Sequence, residues 1–348
     1  MKNHLPKIFS LLLFLLNIFN LEAQVNKCAL NLIDAREKFN AGLIEEVPGL
    51  LLDCIESGFT DEDRIEAYKL LINAYIFDDY PDLAEKFMLQ FLNQYPGYKV
   101  ADNDPFEFVN LFDQFDNHPR YSIGFNIGTN LSMVRVTEPF GVYDLNKVSG
   151  DYSGVPGLNI SGIFNYYLTP RIELSAEPGY SVTNFKYEVT PFPFTQTEYK
   201  EQQGRIDLPL SVLYSFDAKT FSPYLRWGLR GSYLLMSKGE SKRSFLDTGG
   251  VEFGDIVSDG IDISDRRVPL QLSSFIGGGA RYNIHKAYFF VDVRYNFGFT
   301  GQVDPASRQD LNDDNIWLYY HIEDDFKLND LSLTVGFTRV FYNPKRKR

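Results

Sequence analysis

From Tyr121 onward the chain alternates apolar and polar residues in recurring stretches. In "RIELSAEPGYSVT" (171–183), Ile172, Leu174, Ala176, Tyr180 and Val182 share one parity, and Glu173, Ser175, Glu177, Ser181 and Thr183 share the other. Successive side chains of a strand point to opposite faces, so the pattern predicts a strand with one apolar and one polar side. Comparable stretches recur at approximately 121–134, 156–168, 171–186, 203–216, 221–236, 267–283, 287–299 and 328–342. They are long against the globular mean of ~5–6 residues and suit a tilted membrane crossing of ~9–11 or more. Their connections alternate in length. "TP" (169–170), "DAKT" (217–220) and "HK" (285–286) are short; roughly 135–155, 187–202, 237–266 and 300–327 are long. Tight turns at one end and long polar loops at the other are the pattern of an outer-membrane barrel.

The faces sharpen this. Ile206, Leu208, Leu210, Val212 and Tyr214 oppose Arg205, Asp207, Pro209 and Ser211; Leu225, Trp227, Leu229, Tyr233 and Leu235 oppose Arg226, Gly228, Arg230 and Ser232. Phe289, Val291, Val293, Tyr295 and Phe297 oppose Asp292, Arg294 and Asn296, and Ile123, Phe125 and Ile127 oppose Ser122, Gly124, Asn126, Gly128 and Asn130. The polar faces hold Arg with Asp and Glu, glycines and small polar groups. That mixture suits a narrow lumen in which guanidinium–carboxylate pairs satisfy one another. The expected lumen network joins Arg205, Arg226, Arg230, Arg281 and Arg294 with Glu173, Glu177, Asp207 and Asp292. Aromatics near the short turns (Tyr121, Tyr166, Tyr167, Tyr214, Phe216, Tyr224, Tyr288, Phe341 and Tyr342) read as an interfacial girdle. Eight strands close without an open edge and leave no porin-like channel. An even strand number puts Arg120 and the C-terminus on one side.

Residues 27–116 carry a different period. "CALNLIDAREKFNAG" ends at Gly42, a C′ candidate, and "VPGLLLDCIESG" runs from Pro48 to Gly58. Thr60 caps "DEDRIEAYKLLINAYIF", and Pro81 opens "PDLAEKFMLQFLNQY". Asp104-Pro105-Phe106-Glu107 reads as N-cap, N1 proline and N3 carboxylate of a last helix. Short turns predict antiparallel neighbours. Ala67, Leu71, Ala74 and Tyr75 with Ala84 and Met88, ending at Pro96, resemble a tetratricopeptide-type hairpin; a generic small helical bundle is the alternative.

Composition and charge divide the chain further. Of its 348 residues, 44% are hydrophobic and 16% aromatic. Met1, Lys2 and Lys7 followed by "IFSLLLFLLNIF" and "NLEAQ" read as a signal peptide cleaved between Ala23 and Gln24. Lys27 before Cys28 excludes a lipoprotein signature, and no other stretch is long enough for a membrane helix. The chain's net charge is −12, and residues 24–119 alone hold seven Lys/Arg against nineteen Asp/Glu. An acidic domain disfavours nucleic acid. Cys28 and Cys54 begin one helix and end the next, neighbouring ends of an antiparallel pair. In an exported protein this predicts a disulfide, the alternative being two buried thiols. The expected organisation is α+β in two domains. A signal peptide (1–23) precedes a periplasmic acidic helical domain (24–119), an eight-stranded antiparallel transmembrane barrel (120–342) and a basic tail (343–348).

The last strand, "LTVGFTRVFY", resembles the C-terminal assembly signal of outer-membrane barrels, with Thr334, Gly336 and Phe341 in place. Arg339 stands where that signal has a hydrophobic residue, and the "NPKRKR" that follows reads as a solvated charge run. With the Gly/Asn-rich opening "YSIGFNIGTNLS", residues 121–342 resemble the PorT-type outer-membrane β-barrel domain, similar in architecture to OmpA-like barrels. The resemblance implies an outer-membrane location in a Gram-negative bacterium and, for some members, a part in secretion.

Motifs with possible chemistry do not assemble into a site. "DTGG" (247–250) has no second copy to make an aspartic dyad. "DLNDDN" (310–315) lacks the sixth-position Gly of a calcium loop and has His321 at the twelfth position. "IGGGA" (276–280) lies inside a strand, and His118, His285 and His321 are isolated. No enzyme, metal or cofactor is expected. The expected role is a non-enzymatic scaffold or accessory subunit of an envelope or secretion complex, with lipid and a periplasmic protein as partners. The alternative is a surface receptor or adhesin working through the long loops.

Overall fold

The computed structural model describes residues 27–140, 150–216, 220–245, 254–258, 260–284, 286–307, 319 and 321–347. The expected signal peptide, "DTGG", "DLNDDN" and His285 lie outside them. Two compact units emerge: Met1–Asp116 with Pro344–Arg348, and Asn117–Asn343.

The first unit is a helical bundle of α1 (Lys27–Asn40), α2 (Val47–Ile55), α3 (Asp61–Phe77), α4 (Pro81–Gln94) and α5 (Phe106–Phe112). α1 ends in a Schellman arrangement. Leu43 donates to the Lys38 carbonyl and Gly42 to that of Phe39, with Gly42 at φ +80°, which favours glycine. The Thr60 hydroxyl caps α3 by accepting from the Asp63 amide. α1 packs on α2 and α3 on α4, burying Leu51, Leu71, Ile72, Met88, Phe91 and Leu92. Full burial of each such side chain stabilises by roughly 1.5–3 kcal/mol. Cys28 and Cys54 are disulfide-bonded, and a Cβ at Gly58 would lie 2.6 Å from the Cys28 sulfur.

Asp104 does not cap α5; Pro105 occupies that position. The carboxylate turns inward, where it meets Lys69 Nζ at 2.7 Å and accepts from the Tyr98 hydroxyl and the Ala101 amide. Lys69, buried in mid-α3, needs a counter-charge more than α5 needs a cap. Burial pushes the Asp104 carboxyl up, but the bonds from Lys69, Tyr98 and Ala101 outweigh it and hold it below the usual range. Burial lowers Lys69 in turn, and its bonds to Asp104, Glu66 and Tyr98 more than reverse that.

The basic tail is not simply solvated. β1 (Phe115–Asp116) pairs antiparallel with β13 (Lys345–Arg346), Arg346 bonds Glu85, and Lys347 Nζ reaches the Asp113 carbonyl at 2.8 Å. A free strand edge and acidic surroundings supply what a cationic strand needs.

The second unit is a large antiparallel sheet of the outer-membrane barrel type. Its strands are β2 (Pro119–Glu138), β3 (Asp151–Tyr167), β4 (Ile172–Ala176), β5 (Gly179–Phe192), β6 (Thr195–Ser215), β7 (Phe221–Phe245), β10 (Leu270–Ile284), β11 (Ala287–Gly298) and β12 (Asp325–Tyr342). Two short strands, β8 (Ile256–Val257) and β9 (Ile261–Asp262), flank the far end of β7. Each long strand pairs with its successor, and β12 pairs with β2 from Tyr342↔Pro119 to Asp325↔Glu138. No described helix is long and apolar enough to cross a membrane.

Two departures from the sequence pattern have local causes. The expected strand 171–186 is broken at Glu177–Pro178, where proline has no N–H to donate to the ladder. Parity survives the break, so Glu173, Ser175, Glu177 and Ser181 remain on one buried face. β6 and β7 run well past the expected 203–216 and 221–236, pairing as far as Thr195↔Phe245. There the outward positions become Glu198, Lys200, Lys238, Glu240 and Lys242, so the apolar half of the alternation disappears while pairing continues. A bulge at Gly204/Arg205 against Leu234/Met236 shifts β7 by one residue: Leu234 points inward before it and Ser237 after it.

Candidate functional site: the sheet interior and its outer head

Side chains of the sheet divide cleanly. On β7, Arg226 is 3% exposed and Trp227 58%. The inner face is filled in tiers. Nearest the short turns, the Arg281 guanidinium pairs with Glu173, its Nη2 donating to Oε2 at 2.9 Å, between the rings of Tyr224 and Tyr288 at 4.7 and 4.6 Å. Asn165 donates to the Tyr288 hydroxyl and Ser215 to Glu173. Tyr224 and Tyr288 thus belong to the interior and not to the girdle, with Tyr167 and Tyr342 packed beside the same cluster. Their parity is that of Arg226 and Asp292, a signal that strand position alone conceals. Tyr121, Tyr166, Tyr214 and Phe216 do face outward.

In the middle tier Glu177 accepts from both Arg226 and Arg294, the latter at 2.7 Å, and from Asn126 at 3.2 Å. Arg226 also bonds Asp292 at 2.6 Å, and Tyr224 donates to the same carboxylate at 2.9 Å. Both guanidinium groups lie over the Phe275 ring. Above them Arg230 pairs with Asp330 at 2.7 Å, Asn296 donates to Asp330, and Ser232 donates to Asp207. Cavities of ≈ 60 and ≈ 30 Å³ separate these layers. Each holds a few waters at most, given ~10–15 Å³ of such volume per water.

All nine expected lumen residues lie on this inner face, but not all in carboxylate pairs. Arg205 is buried and bonded to the side-chain amides of Gln203 and Gln302. Asp330 was missed by sequence reasoning although Ser332 and Thr334 share its parity.

Beyond the apolar band the same strands build an outer head. Phe185, Tyr187, Val189, Tyr199, Ile263, Val303, Phe326 and Leu328 form a second buried apolar cluster. Arg267 lies at its centre, bonding Glu201 at 2.6 Å and Glu323 at 2.6 Å, with Arg267 and Glu201 side chains wholly buried. Tyr199 and Ser237 donate to Glu201, Tyr152 donates to Asp324 at 3.0 Å, and His321 stacks on Tyr199 at 4.5 Å. Glu323 comes from an irregular segment that no periodicity announces, and Arg267, the first residue of the expected stretch 267–283, lies just before β10, which begins at Leu270. Among the described residues no group of His, Cys, Asp and Glu could hold a metal ion.

A family model, outer membrane protein beta-barrel domain, matches residues 112–302. Among solved structures, OprG of Pseudomonas aeruginosa is 12% identical, covering 65% of this chain and 98% of its own, with TM-score 0.33. Neisserial surface protein A is 12% identical (64% and 97% covered, TM-score 0.30), and Ail of Yersinia pestis 14% (63% and 99%, TM-score 0.26). No curated protein matches the chain. The chain belongs to the outer-membrane protein β-barrel domain family. It is an outer-membrane protein.

Proposed function

We propose that this member of the family is a non-enzymatic surface-binding protein, a receptor or adhesin. In this reading a closed eight-stranded barrel presents an ordered extracellular head. Pairing of β12 with β2 supports closure. Eight strands leave room only for side chains, and the ion-pair tiers with their small cavities agree with a plugged interior and not a pore.

The observation that carries the reading is the outer head. A loop end serving only as a connection needs no buried core, yet this one has an aromatic cluster and the Arg267–Glu201 and Arg267–Glu323 ion pairs within it. Such a core holds the rim side chains in place, which lowers the ordering entropy lost on binding. Adhesion of cells to matrix, glycan and protein surfaces tests it. Replacing 186–199 and 238–266 by short turns should abolish binding while the barrel still inserts, and deleting 27–116 should not. Binding lost only with the helical unit would overturn the reading.

A second reading, a docking module for an envelope or secretion complex, is favoured by the helical unit. Exposed Leu30, Ile33, Phe77, Tyr80 and Phe106 lie on an otherwise acidic surface, and the tetratricopeptide-like spacing of α3 and α4 suits a protein partner. Co-purification of an envelope protein that persists without 27–116 would exclude it.

A further inference from the structure

We propose that the helical unit is an assembly template for the sheet: it captures the cationic segment that follows β12, and the capture delivers β12 to β2 for closure. This rests on the reading of the sheet as a closed barrel.

β2 and β12 are the earliest and latest of the long strands. The other long strands pair with neighbours in sequence, which turns and loops bring together, but β2 and β12 meet only across the span of the whole sheet. The loop-closure entropy of that pairing is therefore the largest in the sheet. Two residues, Asn117 and His118, separate β1 from β2, and two, Asn343 and Pro344, separate β12 from β13. Phe115 pairs with Arg346 and Asp116 with Lys345, and the same stepping leads to Tyr342 against Pro119, the first pair of β12 on β2. A docked segment thus brings β12 to β2 in register, ahead of the irregularity at Phe341/Tyr342.

The dock is built for cations. The Arg346 guanidinium donates to Glu85 on α4 and, at 3.1 Å, to the Gln114 side chain. The Lys347 amide donates to the Gln114 carbonyl at 2.7 Å. Its Nζ donates to the Asp113 carbonyl at 2.8 Å, at the C-terminal end of α5, where the helix dipole favours positive charge. Residues 24–119 are strongly acidic and 345–348 are all Lys or Arg, so the approach is steered as well. Exposed pairs of this kind add little to a finished fold. Their leverage is on closure. Once the segment is held, β12 and β2 meet over a two-residue linker on each side, at a far higher effective concentration. The helical unit is in place in time, because it precedes every long strand and its core and disulfide involve only its own residues.

Refolding of the urea-unfolded full chain into lipid vesicles, followed by heat-modifiable gel mobility against time, reads closure. Arg346→Glu should slow the appearance of the heat-modifiable form about two- to fivefold. Its final yield and the helical circular dichroism should not change. Adding Glu85→Arg to that variant should restore the rate, and deletion of 344–348 should slow it at least as much as Arg346→Glu. Equal rates for the parent chain and the deletion variant, or a charge swap that restores nothing, would overturn the proposal. A parent chain that never gains heat-modifiable mobility contradicts the barrel reading, whereas a folded chain whose rate ignores the cationic segment contradicts only the template.

Discussion

In the helical unit Leu71, Met88 and Phe91 are buried and Asp61, Glu62 and Asp63 face solvent. In the sheet unit Glu177, Arg226 and Asp292 are buried and Leu225, Trp227 and Leu229 face outward. One chain thus carries two opposite solutions to the same constraint. Backbone polar groups are paired within helices or between strands in both units, and what changes is the medium each surface meets. Apolar burial drives the helical bundle in water. In lipid the outer surface gains nothing from being hidden, so the sheet interior is free to be polar provided every charge there finds a partner.

The largest test of that contrast lies in the middle tier. Glu177→Ala leaves Arg226 and Arg294 buried with one carboxylate fewer, and should destabilise the sheet by about 3–5 kcal/mol in urea titrations from lipid vesicles. A loss below 1 kcal/mol would mean that the interior is wetter than its packing implies. A matched pair of arginine insertions tests the outer surfaces. Leu229→Arg, in the centre of the apolar band, should cost ~2–4 kcal/mol in the same assay. Leu30→Arg, exposed on the helical unit, should change stability by less than about 0.5 kcal/mol. Equal effects would remove the inversion.

Within the helical unit, Cys28→Ser with Cys54→Ser should lower stability by roughly 3 kcal/mol by helical circular dichroism, as expected for closing a loop of this size. The smallest effect is on pH dependence. The lowered Asp104 carboxyl contributes stability that is complete above the ordinary carboxylate range and is lost as pH falls through its depressed value. Acid titration of the helical signal should therefore lose a component below about pH 4, and Asp104→Asn should flatten it. An unchanged acid profile in that variant would remove Asp104 from the account.

Much of this was legible along the chain because strand parity and helix punctuation are local. "RIELSAEPGYSVT" displays its faces residue by residue, and Thr60, Gly42 and Pro81 mark helix ends wherever they occur. Parity also contained the inward direction of Tyr224 and Tyr288, although their place near the turns suggested a girdle. Other features depend on residues far apart in sequence. Asp104 could have capped α5; Lys69, 35 positions earlier and buried, drew it inward. Arg267, Glu201 and Glu323 carry no common period because two of the three come from irregular segments meeting a strand.

The sequence by itself determined which side chains share a face, because alternation is a property of the backbone and survives even the break at Pro178. Only the tertiary structure decided which charges pair, where the polar extensions of β6 and β7 continue as strands, and that the basic tail joins β1. Those outcomes depend on which distant groups meet and which medium surrounds them, and neither is written into any local stretch.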